Sequence, residues 1–421
     1  MTEAMKKTLL NGWHRENGAR MVPFGGWDMP VNYAPGILAE HLATRKGAGL
    51  FDISHMGRFR VSGEGALPFL QHTLTNDASA LTPGLAQYTI IPDDAGAAVD
   101  DAYLYQRGEG DYLLVVNASN TGKDYGVLSQ HLERFPKAEL KDITADLFMT
   151  SLQGPLSPAI LEAMLPDPAK SAFRSLLEAK RNSFTSVKIE AQPLILSRTG
   201  YTGEPHSFEL FTPAEFAVGL WERLISAGGP LGISPVGLGA RDSLRLEAGY
   251  PLYGHEFGPG PDGRDIPIFA VPLSRFAVSF SEEKGDFVGR EALQAQHREL
   301  EARRKGEMDG PPGSWTLPKR IFPFRVTGRG IARQGHEVSP SGGGAPAGHV
   351  TSGTMIPYWR FEGANPSEES GRRAIGLAYL RADLAAGQPL EIGDGRRTVE
   401  AVIVKRHLDA ATAPFARAEI P

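Results

Sequence analysis

Cysteine is absent from this chain of 421 residues. Disulfide bonds, thiolate metal ligands and a thiol nucleophile are therefore excluded together. The sequence also lacks an uninterrupted apolar run long enough to cross a bilayer. Its first residues, MTEAMKKTLLNGWHREN, contain too few apolar side chains for the hydrophobic region of a signal peptide. We therefore expect a cytoplasmic protein that needs no membrane and is stabilised by packing.

Charge is also modest. The formal net charge is −5 and no stretch is dense in lysine and arginine, so nothing favours a nucleic-acid partner. The 11 histidines show no pair at helical spacing with a nearby acid, which argues against a metal site. The stretch GPGPDG at 258–263 matches a dinucleotide fingerprint by its letters only, because it follows no predicted strand and opens no predicted helix.

Hydrophobic periodicity predicts a mixture of short helices and strands, and the length favours two or three domains. The predicted helices cover 36–46, 66–73, 121–135 and 214–227, and the predicted strands include 88–91, 98–105 and 112–116. We predict an α+β fold with a body of two intertwined subdomains at 1–293. A charged helix and a Gly/Pro-rich linker at 294–318 separate this body from a small C-terminal β-barrel domain at 319–421.

The stretch VDDAYLY, from Val99 to Tyr105, places two adjacent carboxylates before an apolar run. Neighbouring residues of a strand point to opposite faces, so only the second carboxylate, Asp101, shares a face with Tyr103 and Tyr105. One interpretation is a hydrogen-bonded strand end. The other is an acid held in a pocket, where burial and neighbouring groups adjust its pKa.

Several motifs occur together in a fixed order. They are MVPFGGWDMPVNY near the start, FDISHMGRF at 51–59, VDDAYLY at 99–105, SRTGYTGE at 197–204, GLGARDSLRLEAGYPLYGHE at 237–256, DFVGREAL at 286–293 and GHVTSGT near the end. Over nearly the whole chain, this set resembles the glycine cleavage T-protein family, the folate-dependent aminomethyltransferases. The resemblance implies three domains around a central opening in which tetrahydrofolate binds.

The resemblance also implies site residues. Asp101 falls on the position of the catalytic acid, and Arg241 is expected to anchor an acid or to keep Asp101 ionised. Glu209 would accept hydrogen bonds from adjacent donors of the pterin, and tyrosines would supply flat packing surfaces with polar tips. The positions expected to line the folate or substrate pocket are Met56, Tyr88, Tyr103, Tyr105, Asn117, Tyr201, Glu209 and Arg241.

Structural roles compete with these assignments when each residue is considered alone. Arg241 lies near Asp242 and Arg245, and these three could form a solvated helix face with exposed ion pairs. Tyr201 lies in TGYTGE, near two glycines, and could have a purely structural role in a turn. Met56 could belong to the core.

The resemblance implies a reaction that starts from an aminomethyl group on the reduced lipoyl arm of a carrier protein. Ammonia leaves, the carbon passes to tetrahydrofolate, and no metal is needed. We expect this aminomethyl transfer, with the lipoylated carrier protein of the glycine cleavage system as partner. The alternative is a folate-dependent demethylase acting on a small N-, O- or S-methylated substrate. Folate-binding iron–sulfur assembly relatives carry a cysteine in KGCYxGQE, where this chain has KGDFVGRE, and are disfavoured.

The chain departs from the pattern of the family in several places. TGEPHSFEL carries one residue more than usual, which affects the expected pose of Glu209, and Tyr103 replaces a small aliphatic residue and would fill or reshape the pocket. The loop GPGPDGRD and the run PIFAVPLSRFAVSF replace the usual segment before DFVGREAL, and the last stretch, HLDAATAPFARAEIP, has no tyrosine. We therefore expect a retained folate site and an altered substrate side.

Overall fold

The computed structural model describes residues 5–308, 310–362, 365–393 and 397–407, without the side chains of 312 and 359–368. Residues 408–421, which make up most of the stretch without tyrosine, lie outside the described residues. The chain divides into two units. Unit 1 comprises Met1–Leu70, Ala78–Gln87 and Ala102–Leu244, and unit 2 comprises Gln71–Asp77, Tyr88–Asp101 and Arg245–Pro421.

Helices and strands alternate in short pieces, as predicted. Among the described residues the α-helices are α1 (Asn11–Glu16), α2 (Ile37–Lys46), α3 (Ala66–Thr73), α4 (Thr121–Leu132), α5 (Ser157–Met164), α6 (Asp167–Glu178), α7 (Ala217–Gly228), α8 (Leu238–Glu247) and α9 (Arg290–Lys305). The strands before α9 are β1 (Lys6–Lys7), β2 (Arg20–Phe24), β3 (Trp27–Asn32), β4 (Ala48–Asp52), β5 (Gly57–Ser62), β6 (Ala86–Pro92), β7 (Ala98–Gly108), β8 (Asp111–Val116), β9 (Glu139–Asp142), β10 (Leu147–Gln153), β11 (Phe184–Ile189), β12 (Gln192–Ser197), β13 (Ser207–Pro213) and β14 (Ile233–Val236). Those after it are β15 (Lys319–Val326), β16 (Glu337–Pro340), β17 (Gly348–Glu362), β18 (Asn365–Arg381), β19 (Pro389–Gly393) and β20 (Thr398–Ile403).

The predicted helix at 66–73 is confirmed with its bounds, and α2 and the strands β6, β7 and β8 lie where periodicity placed them. The helix predicted at 214–227 begins with a 3₁₀ turn at Ala214–Phe216 before α7. Along α7, Leu220, Trp221 and Leu224 are fully buried. Their spacing of three and four residues forms the apolar stripe that packs this helix onto the core, and each such side chain contributes about 1.5–3 kcal/mol when buried.

Unit 1 contains a six-stranded sheet in the order β11-β12-β13-β10-β4-β14. Its strands pair antiparallel except β4 and β14, which run parallel. One core cluster on this sheet includes Leu50, Leu152, Phe208 and Trp221. Strand β13 is bonded on both sides, so side chains on it are held by a rigid framework.

A five-stranded sheet has the order β6-β7-β8-β5-β9. The chain passes from one unit to the other within β6, between Gln87 and Tyr88, and within β7, between Asp101 and Ala102. Along β7, Asp100 and Ala102 are buried while Asp101 and Tyr103 keep partial exposure. This burial pattern follows the predicted alternation of the strand.

The C-terminal β-barrel is confirmed as a closed barrel of strands in the order β15-β18-β17-β16-β19-β20. Its interior is filled by apolar side chains, which include Phe324, Val338, Leu380 and Ile403. Closure gives every strand of the barrel a paired neighbour on each side. Before the barrel, α9 ends at Gly306, whose φ of 74° is the left-handed conformation that a glycine C-cap adopts without strain. The predicted domain division at 293 and 318 stays a prediction.

Candidate active site

Asp101 and Tyr88 form a hydrogen-bonded pair in unit 2. The hydroxyl of Tyr88 donates to Oδ2 of Asp101 over 2.9 Å. Both side chains are partly exposed, so the carboxylate is oriented by a phenol without being sealed from solvent. This arrangement suits a group that accepts or stabilises positive charge on a ligand.

Glu209 is the centre of a second polar group, which lies in unit 1. Its Oε2 accepts hydrogen bonds from the hydroxyl of Tyr105 over 2.9 Å and from Thr199 Oγ1 over 2.5 Å. Burial, followed by the charge of Glu209, raises the pKa of Tyr105 well above its usual value, so the phenol keeps its proton and remains a donor. Because both bonds reach Oε2, the carboxylate is fixed through one of its oxygens.

The longer TGEPHSFEL stretch is accommodated before β13. Glu209 itself lies within β13, opposite Ser151 of β10 and opposite Ser197 of β12. The loop is anchored by Glu204, whose Oε1 accepts a buried hydrogen bond of 2.6 Å from Arg45. The additional residue therefore leaves Glu209 in a strand that is paired on both sides.

Arg241 projects from α8 and stacks on Tyr201, with its Cζ 4.8 Å from the ring centroid. Tyr201 lies in the turn between β12 and β13, where Gly200 packs so tightly that an added Cβ would be 2.5 Å from Cβ of Ser207. Burial lowers the pKa of Arg241, and the negative charge of Glu209 opposes this shift. The guanidinium atom Nη1 is buried without a hydrogen-bond partner, an arrangement that an acceptor on a ligand would complete.

Arg241 and Arg245 do not form a solvated helix face. Arg241 is partly buried, and Arg245 is buried in unit 2, where its Nη1 donates to Oε2 of Glu256 over 2.9 Å. Helix α8 therefore presents its arginines to the interior of the fold.

Met56 lies in a turn between β4 and β5 that two buried charged residues hold in place. Asp52 Oδ1 accepts hydrogen bonds from the backbone N–H of Ser54 over 2.9 Å and from its hydroxyl over 2.6 Å, and Oδ2 is 2.9 Å from Nε2 of His14. Arg58 donates to the carbonyl oxygen of Ser54 over 3.0 Å and to that of Met56. Burial is the largest influence on the pKa of Asp52 and raises it, but the hydrogen bond and charge of His14 and the hydrogen bonds from Ser54 lower this pKa to about 2 overall.

Met56 and Tyr103 both pack against the apolar core of unit 1. Both side chains pack against the core cluster that contains Tyr105 and Ala240. The hydroxyl of Tyr103 donates to Oδ1 of Asn182 over 2.6 Å, and its ring centroid is 5.6 Å from that of Tyr105. Tyr103 thus forms part of the wall beside Tyr105.

Asn117 lies at the C-terminal end of the five-stranded sheet's strand β8. It follows β8, and its backbone carbonyl accepts a hydrogen bond of 3.0 Å from the N–H of Asn120 at the start of α4. Its role in a ligand site stays a prediction.

Unit 1 thus brings together Tyr103, Tyr105 and Glu209, and it pairs Tyr201 with Arg241. Sequence reasoning missed Thr199, which lies two residues before Tyr201 in SRTGYTGE. Its hydroxyl reaches the carboxylate because β12 leads into this segment beside β13. The sequence did contain a signal for this contact. Ser197 and Thr199 are two residues apart, so in an extended segment both side chains point to the same face.

Within the described ranges, no group of three or more His, Asp or Glu side chains is arranged to hold a metal ion. In the same part of the chain, no helix has the length and apolar character needed to cross a membrane.

Known proteins resemble the chain over most of its length. A family model described as the GCVT N-terminal domain matches residues 10–263. An aminomethyltransferase of Geobacillus thermodenitrificans is 40% identical over 402 residues, which cover 95% of this chain and 97% of the relative. An aminomethyltransferase of Deinococcus deserti is 42% identical over 354 residues, covering 84% of this chain and 86% of the relative. The crystal structure of the glycine cleavage system aminomethyltransferase T from Bartonella henselae matches with a TM-score of 0.76 and 28% identity, covering 98% of this chain and 100% of that one.

Proposed function

Because this chain belongs to the family of the GCVT N-terminal domain, we propose that it is a tetrahydrofolate-dependent aminomethyltransferase of the glycine cleavage system. The names of its relatives support this reaction over a demethylase. The observation that carries the assignment is Glu209, a buried carboxylate fixed through one oxygen by Tyr105 and Thr199.

The residues of unit 1 fit a reduced folate. A pterin carries adjacent N–H donors, and a carboxylate held by one oxygen can accept them with the other. Its carbonyl oxygen would suit the buried Nη1 of Arg241, which has no partner of its own. Aromatic walls at Tyr105 and Tyr201 would pack on its flat rings. We assign Glu209, Arg241, Tyr105 and Tyr201 to folate binding, with Met56, Tyr88, Tyr103 and Asn117 as further proposed contacts.

Bound tetrahydrofolate would supply the two nitrogens that receive the one-carbon unit. In the proposed reaction the C–N bond of the donor aminomethyl group and the carbon–sulfur bond to the lipoyl arm break. The carbon forms bonds to two folate nitrogens, and their two protons pass to the leaving ammonia and to the lipoyl thiol. The dihydrolipoyl carrier remains. Asp101 is the proposed acid-base group, because its oriented carboxylate can stabilise positive charge on nitrogen or move a proton. The lipoylated carrier protein as donor, and a cytoplasmic location, belong to this proposal.

Calorimetric titration with tetrahydrofolate, followed by an ammonia-release assay with and without a lipoylated carrier protein, tests the proposal. Binding together with carrier-dependent ammonia release is the expected result. Binding without any response to the carrier would overturn the aminomethyl donor and favour a small methylated substrate. No binding of tetrahydrofolate would overturn the folate assignment itself.

A further inference from the structure

Two buried charged side chains hold the turn that carries Met56. Asp52 holds one end and Arg58 holds the other, with exposed fractions of only 4% and 2%. Burying two charged side chains costs free energy that a turn held by neutral groups avoids. Such over-determined local structure is found where a side chain must be presented in one defined position.

His55 is the residue that this turn presents beside Met56. It is 4% exposed, and its Nδ1 is buried without a hydrogen-bond partner. Its ring packs edge-on against Phe24, with 5.7 Å between the ring centroids. Burial, the largest influence, and the cations Arg241 and Arg58 lower the pKa of His55 to about 4. The ring is therefore neutral at physiological pH, and Nδ1 can accept or donate one hydrogen bond.

Arg241 and His55 share a region of unit 1. The charge of Arg241 acts on the pKa of His55, so the two side chains lie within electrostatic range. Met56, next to His55, packs on the same apolar cluster that contains Ala240, the neighbour of Arg241. Each of the two side chains also has one buried polar atom without a partner, Nδ1 and Nη1. Buried polar groups are usually hydrogen-bonded, so a ligand with a donor and an acceptor would complete both atoms.

The geometry points to His55 as a further ligand-binding residue, whose Nδ1 hydrogen-bonds the pterin ring system of tetrahydrofolate. The inference rests on the proposed function and extends it. A pterin has donors and acceptors alternating around its edge, so a neutral imidazole and a guanidinium can both be satisfied by the same ligand.

Substitution of His55 in the full chain separates hydrogen bonding from packing. His55→Phe keeps a ring against Phe24 but removes the polar atom, whereas His55→Asn keeps a polar atom near the position of Nδ1. His206→Phe, at an exposed histidine, is the matched control. Each variant is titrated calorimetrically with tetrahydrofolate after its thermal midpoint has been compared with that of the wild type.

We expect His55→Phe to weaken tetrahydrofolate binding about tenfold, the scale of one hydrogen bond. His55→Asn should remain within about threefold of the wild type, and His206→Phe should bind as the wild type does. Wild-type affinity in His55→Phe would overturn the inference while leaving the folate assignment intact. Equal losses in the Phe and Asn variants would also overturn it, because ring packing would then explain the effect. Failure of the wild type to bind would overturn both.

Discussion

The free energy of unfolding should increase as the pH rises above 7, and replacing Lys284 with methionine should remove a large part of this increase. Lys284 is 2% exposed, and its Nζ donates to the backbone carbonyl of Gln71 and lies 4.7 Å from the ring centroid of Phe287. Burial lowers the pKa of this ammonium from 10.5 to about 7, and the nearby charge of Asp77 opposes the shift. The folded protein therefore holds this proton more weakly than the unfolded chain does.

The sign and size of the effect follow from proton linkage. Between the folded pKa near 7 and the unfolded pKa of 10.5, the unfolded chain binds a proton that the folded state has released, so rising pH stabilises the folded state. Applied to these two pKa values, linkage gives a gain of roughly 3 kcal/mol in the free energy of unfolding between about pH 7 and about pH 9.5. Contacts of the ammonium with Phe287 and Gln71 favour its charged form, so this figure is an upper value.

Urea unfolding of the wild type and Lys284→Met at pH 7 and pH 9.5 measures the effect, with Lys188→Met at an exposed lysine as the control. The difference in the free energy of unfolding between wild type and Lys284→Met should shift with pH, and that for Lys188→Met should not. If the difference for Lys284→Met is the same at both pH values, the folded state keeps its proton and the reasoning is refuted.

Three further predictions concern the polar groups of the two units. Asp101→Asn should lower turnover at least about a hundredfold while tetrahydrofolate affinity stays within about tenfold; unchanged turnover in the ammonia-release assay would contradict an acid-base role. Glu209→Ala should weaken tetrahydrofolate binding by about 1–3 kcal/mol, because pterin donors lose their acceptor, and calorimetry showing full affinity would place the pterin elsewhere. Arg245→Met should destabilise the protein by about 3 kcal/mol in urea unfolding, because Glu256 is left as a buried carboxylate. Glu256 also accepts hydrogen bonds from the hydroxyls of Thr351 and Ser352 and from the backbone N–H of Leu252, and a stability equal to the wild type would show that these donors suffice.

Much of the secondary structure follows from local patterns. The helix at 66–73 and the strand β7 could be located because apolar spacing and glycine stops are properties of adjacent residues. The barrel was predictable as a series of short strands separated by glycine. Its strand order was not, because β15 pairs with β18 and β20 across long stretches of chain.

The candidate site was predictable in its residue types and only partly in its contacts. Glu209 and Tyr105 were named from a resemblance, but the distance that joins them depends on how β7 and β13 pack together within unit 1. Arg58 shows the limit most clearly. Strand alternation groups it with the exposed Arg60, yet it is buried because carbonyl oxygens of the preceding turn need its guanidinium.

The order in which the ribosome releases the chain bears on how unit 2 is completed. Ile90 and Ala98 belong to a core cluster whose other members begin at Leu246. At a synthesis rate of about 5–20 residues per second, the roughly 150 intervening residues take about 7 to 30 seconds to emerge. During that interval this early segment already pairs with β8, but the side chains of Ile90 and Ala98 lack their core partners. A gene fragment that stops after Leu244 would leave it in that condition indefinitely.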